Sequence, residues 1–99
     1  MNLKFKNIGE MQKYFFEDKD NKGIILTNLF MSLQKAILNK DNSAPFASIE
    51  FETGEHMDLT CEKVDFNTSL DNCLSFFEED EQFERCAEIL KLKEMIKLY

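Results

Sequence analysis

The sequence predicts an α+β domain: a small antiparallel or mixed sheet in the order β-α-α-β-β-α-α, with helices packed on one face. Three observations carry this. Residues 23–40 and 81–97 repeat apolar side chains at helical spacing. Between them, residues 46–61 alternate apolar and polar about a central Thr53-Gly54-Glu55. Ninety-nine residues, 43% hydrophobic and 12% aromatic, suit one compact domain spanning 1–99 with a real core.

Residues 2–6 set Leu3 and Phe5 against Asn2, Lys4 and Lys6, which reads as a short strand. Asn7 offers a helix N-cap with Glu10 three residues on, and Ile8, Met11 and Phe15 follow at helical spacing. A helix is expected over 8–18, ended by the polar run Glu17 to Lys22. Leu26, Leu29, Phe30, Leu33 and Ile37 predict a second helix over 23–40. Asn39 to Pro45 reads as a loop.

The hairpin follows. Ala47, Ile49 and Phe51 alternate with Ser48, Glu50 and Glu52; Met57, Leu59 and Cys61 alternate with His56, Asp58 and Thr60. A three-residue Thr53-Gly54-Glu55 loop places Glu52 opposite His56, Glu50 opposite Asp58 and Ser48 opposite Thr60. Asn67-Thr68-Ser69 is a cluster of N-cap types ahead of Leu70, Cys73, Leu74 and Phe77. The last helix is expected over 81–97. Phe83, Cys86, Ala87 and Leu90 form one stripe on it, and Ile89, Leu92 and Ile96 a neighbouring one. Leu33 and Phe83 are expected in the core.

Several function classes lack their residues. No apolar run approaches the roughly 20 residues of a membrane span, and the N-terminus has no signal-peptide core, so a cytoplasmic protein without a membrane partner is expected. Cys61, Cys73 and Cys86 are odd in number and lie among apolar residues, the pattern of buried reduced thiols. The chain has one histidine, His56, no C-x-x-C pair and no calcium loop, so no metal is expected. There is no glycine-rich phosphate loop, and no Ser-His-Asp or Cys-His set can be argued from spacing. No enzyme and no cofactor are expected.

Charge is the informative feature. The net charge is −7, unevenly spread. Residues 50–84 hold twelve acids and one lysine, a net −11, while the segments on either side are each +2. Such a block argues against direct nucleic-acid binding, which needs cations facing phosphate. Glu50 opposite Asp58 would be a like-charge cross-strand pair that costs stability. Lys4 and Lys6 would offset it if residues 2–6 pair beside the hairpin. Glu78 to Glu81 read as the turn between two antiparallel helices, with Glu79 or Asp80 near the start of the second, where acids suit the helix dipole.

Residues 70–96, LDNCLSFFEEDEQFERCAEILKLKEMI, resemble the UVR motif, the helical hairpin of the bacterial excision-repair proteins UvrB and UvrC. Phe83, Glu84, Cys86 and Ala87 stand where the motif has Phe-Glu and paired small residues, and Ile89 where it has Leu. Leu90 and Lys91 depart from its Arg-Asp. The resemblance implies a protein-binding role.

The expected function is therefore a small non-enzymatic interaction module, an adaptor or regulator. It would bind another protein with a basic surface through Glu50, Glu52, Asp58, Glu62, Glu78, Glu79, Asp80 and Glu81, through the C-terminal hairpin, or both. The alternative is an acidic DNA mimic, an inhibitor of the bacteriophage anti-restriction or anti-CRISPR type, whose carboxylates stand in for phosphates. A short Phe-, Lys- and Asn-rich chain suits a phage gene.

Overall fold

The computed structural model describes residues 1–99. In chain order it contains β1 (Asn2–Phe5), α1 (Ile8–Phe16), α2 (Lys19–Leu38), β2 (Ser43–Phe51), β3 (His56–Glu62), a 3-10 turn (Lys63–Asp65), α3 (Phe66–Glu79) and α4 (Phe83–Ile96). The β-α-α-β-β-α-α order and the α+β class are as the sequence predicts. The sheet is mixed, in the order β1-β2-β3, with β1 parallel and β3 antiparallel to β2. A parallel pair cannot be joined by a tight turn; α1 and α2 supply the crossover.

Asn7 caps α1, its side-chain oxygen accepting from the Glu10 N–H at 2.9 Å. The Glu10 carboxylate reaches back one residue further than a capping box requires, accepting from the Lys6 N–H at 3.3 Å. α1 stops at Phe16 and α2 begins at Lys19, four residues before the expected start and inside the polar run expected only to end the first helix. The reason is Asp18, whose Oδ1 accepts from the N–H groups of Asp20 and Asn21. Lys19 to Lys22 are the polar first turn of a capped helix. Further on, Leu29, Phe30, Leu33, Ala36 and Ile37 form the buried face of α2, with Leu33 fully buried.

β2 starts at Ser43, so the expected loop to Pro45 ends early. Pro45 is tolerated because β1 pairs only from Ser48 onward and the β2–β3 register shifts between Pro45 and Ala47. That bulge lets Ala44 and Ala47 both be buried, although they are three residues apart.

The hairpin register is a correction. Glu50 pairs with His56 and Ser48 with Asp58, while Thr60 pairs with Pro45 beyond the bulge. The Phe51 N–H donates to the Glu55 carbonyl at 2.9 Å, so the three-residue loop is Glu52-Thr53-Gly54. Gly54, at φ 90°, takes the left-handed third position of that loop, not its middle. Each strand thus slips by one residue and every side chain keeps its face. The expected Glu50–Asp58 opposition does not exist.

Asn67-Thr68-Ser69 do not cap α3. The preceding 3-10 turn carries the chain straight into the helix, leaving them in its first turn, and Asp65 makes no side-chain cap bond. Phe66, Leu70, Cys73 and Phe77 are buried. On α4 the buried face draws on both apolar stripes, but Phe83, expected in the core, is not on it. Cys86, Ile89 and Leu92 are buried, whereas Phe83 is 67% and Leu90 55% exposed and Ala87 is exposed too. Two contacts fix this rotation. Arg85 stacks over the Phe77 ring at 5.3 Å, and Lys93 pairs with Asp71 of α3.

The larger core joins α2, α3 and α4 to Ala44 and Cys61 of the sheet. A smaller one packs Phe5, Ile49 and Phe51 against Met11, Tyr14 and Phe15 of α1. All helices therefore lie on one face of the sheet. The three cysteines are free and buried. No helix is long and apolar enough to cross a membrane.

Candidate functional site

The sheet face turned away from the helices carries Lys4 of β1, Ser48 and Glu50 of β2, and His56, Asp58, Thr60 and Glu62 of β3. Strand alternation puts them there: their neighbours Phe5, Ile49, Phe51 and Cys61 fill the cores. The parallel register sets Lys4 beside Glu50, with Nζ 3.8 Å from Oε2. Both side chains are more than half exposed, so the pair adds little stability but does neutralise Glu50.

Asp58 is the best-connected acid. Its Oδ1 accepts from the Ser48 hydroxyl at 2.8 Å and meets His56 Nε2 at 2.9 Å. The serine bond, then the histidine bond and its charge, hold the carboxyl below the usual range. Sequence reasoning missed this trio because the misplaced register set Ser48 opposite Thr60. It unites serine, histidine and aspartate, but the carboxylate stands in the middle. The serine proton points at Asp58 and not at an imidazole, so Ser48 is not activated as a nucleophile.

Glu52, beyond the end of β2, donates its N–H to the Phe5 carbonyl at 3.0 Å. It lines a shallow, mixed-charge cleft with Lys4, Lys6, Glu10 and Glu50.

The acidic quartet sits elsewhere, and its placement is a second correction. Glu78 and Glu79 end α3, Asp80 is its C-cap, and α4 does not start until Phe83. Glu78 and Glu79 therefore stand at the C-terminal, negative end of the α3 dipole, where like charge is unfavourable, and only Asp80 and Glu81 lie in the turn that leads to the α4 N-cap Gln82. The turn is closed by Glu81 N–H to Glu78 carbonyl at 3.2 Å and Gln82 N–H to Phe77 carbonyl at 2.8 Å. This double bond set is a Schellman motif, with Glu81 in the left-handed position at φ 58°. Asp80 accepts from the Gln82 amide. None of the ion pairs in the molecule involves Glu78, Glu79, Asp80 or Glu81.

The turn rests against the start of α2. Asp80 and Gln82 line a cleft with Lys19, Asp20, Gly23 and Ile24. Gly23 permits this approach: a Cβ there would fall 2.9 Å from the tip of the Phe76 ring. The acids thus form two groups in different layers, one on the open sheet face and one at the end of the helical hairpin. The sheet group is partly neutralised by Lys4; the turn group has no ion-pair partner.

No protein-family model matches the chain, and no match is found among the curated proteins or the solved structures. Residues 70–96 do form an antiparallel helical hairpin, but the likeness to the UVR motif rests on the residues quoted above alone.

Proposed function

We propose that this protein is a small non-enzymatic interaction module of the cytoplasm, an adaptor or regulator, which binds a basic partner protein. Its main contact is the Glu78–Glu81 end of the α3–α4 hairpin, with Glu50, Glu52, Asp58 and Glu62 on the sheet face as a second acidic surface. One observation carries the reading. Four carboxylates, Glu78 to Glu81, cluster at the end of α3 and in the turn after it, and none has an ion-pair partner. Glu78 and Glu79, in the last turn of α3, each cost a few tenths of a kcal/mol against its dipole, and a turn needs none of the four. A cationic partner converts that cost into complementarity and fast encounter.

The DNA-mimic reading is weaker on this geometry. A mimic requires rows of carboxylates at phosphate-like spacing, and Lys4 pairs with Glu50 on the sheet face while the remaining acids lie apart in the turn.

The test is affinity capture from native cell extract with the wild type and two charge-reversed variants. One carries Glu79→Lys and Asp80→Lys, the other Glu50→Lys and Asp58→Lys. A basic protein retained by the wild type and lost from the turn variant is the expected result. Identical captures on all three would overturn the proposal.

A further inference from the structure

α4 is covered on one side only. It packs chiefly against α3 and α2, through Cys86, Ile89 and Leu92. At 3.6 residues per turn, Phe83, Ala87 and Leu90 fall on the opposite side. All three are exposed, Phe83 by 67% and Leu90 by 55%. A single exposed apolar side chain is ordinary. Three in one row at i, i+4 and i+7 are the pattern of a helix that packs against another.

Charge along this row runs from negative to positive. Residues 78–90 hold six acids and Arg85; residues 91–97 hold three lysines and Glu94. Glu84 and Lys91 sit on the same flank of the row, seven residues or about 10 Å apart, too far to pair with each other. Neither has an ion-pair partner elsewhere in the chain. A uniformly basic helix laid along the row would meet Lys91 and Lys97, and a uniformly acidic one would meet Glu84 and Glu88. The face calls for a helix of the same two-ended charge, running the other way.

We propose that this face pairs with the same face of a second copy, antiparallel, about a two-fold axis beside Ala87. Phe83 of each copy then meets Leu90 of the other, and the short Ala87 side chains at the crossing let the helices approach. A two-fold axis of this kind sets like flanks side by side. Glu84 of each copy therefore lies within about 3 Å, along the axis, of Lys91 of the other. Two charges left unpaired within one chain become two pairs between chains. A parallel arrangement instead turns Lys91 towards Lys93 of the other copy and gathers both acidic turns at one end. Charge thus selects both the second copy and its direction, and the two-fold pairing closes without growing into a fibre. This goes beyond the proposed function and does not rest on it, because the dimer forms with no other protein present.

Sedimentation equilibrium of the purified wild type from about 10 µM to about 1 mM tests it, a range that detects weak self-association. The mass should rise from 11.7 kDa towards twice that value. Phe83→Ala, at an exposed position, should weaken the dimer about tenfold or more while the circular dichroism stays that of the wild type. Glu84→Lys opposes two cations across the interface, and Lys91→Glu opposes two anions. Each alone should weaken the dimer about tenfold or more, since two symmetric pairs are reversed at once. Mixing these two variants in equal amounts should restore a dimer, because each supplies the charge the other lacks. A wild type at 11.7 kDa throughout would overturn the proposal. So would a dimer that survives Phe83→Ala and both charge reversals, which would place the interface elsewhere, or a mixture that stays monomeric.

Discussion

The backbone N–H of Gln82 donates to the Phe77 carbonyl at 2.8 Å, and Glu81 holds a left-handed φ of 58° to let it do so. The same cap ends α2, where the Asp41 N–H reaches the Ala36 carbonyl at 2.8 Å across Lys40, also at φ 58°. Glycine is the residue that adopts this conformation without a Cβ penalty. Glu81→Gly should therefore stabilise the fold by roughly 1 kcal/mol, the left-handed cost less the glycine's extra unfolded-state freedom. Lys40→Gly should gain less, because it removes a cation from a helix C-terminus where the dipole favours one. Urea denaturation of both variants checks the order; a destabilised Glu81→Gly would mean that the side chain makes a stabilising contact.

Leu33 and Phe83 both sit on apolar stripes, yet only Leu33 is enclosed: it has no exposed surface, against 67% for Phe83. Leu33→Ala should cost about 3 kcal/mol, transfer and cavity together. Phe83→Ala should stay within about 0.5 kcal/mol of wild type. Thermal melts with equal losses for the two variants would mean that α4 is rotated from the orientation described.

The three thiols should be silent to a disulfide reagent in the native protein and all react after denaturation. Burial drives the Cys73 thiol up to about 12 from an ordinary 9.0, aided by nearby Cys61. In the unfolded chain it ionises near 9.0, so unfolding releases a proton above that pH. The raised group's contribution is intact below pH 9.0 and is lost as pH climbs towards 12. Denaturation midpoints across that window should fall less steeply for Cys73→Ala than for the wild type. Equal slopes would show that Cys73 is not the group responsible.

The element order was legible because it depends on periodicity, which a single chain displays openly. The inward set Phe5, Ile49, Phe51 and Cys61, the α2 face through Leu33, and the Asn7 cap all follow from residue type and spacing. What escaped turns on choices between near-equal options. Gly54 could sit second or third in a three-residue loop, and that one position decides whether Asp58 meets Glu50 or Ser48. α4 has two adjacent apolar stripes, and which part of each is buried depends on contacts with distant Phe77 and Asp71. The acidic quartet was visible as charge, but which helix end it occupies depends on a left-handed Glu81 that sequence statistics disfavour.

The central claim is that the unpaired acids at the end of α3 are a binding surface. Its most direct test is the affinity of the captured basic partner, measured by calorimetry across salt for the wild type and the Glu79→Lys, Asp80→Lys variant. The wild-type affinity should fall about tenfold or more from 0.05 to 0.3 M salt, as screening shortens the reach of the charges. The variant should bind weakly at every salt concentration while melting like the wild type. An affinity that ignores salt, and is the same in the variant, would contradict the account. The acids would then be only a solvated turn.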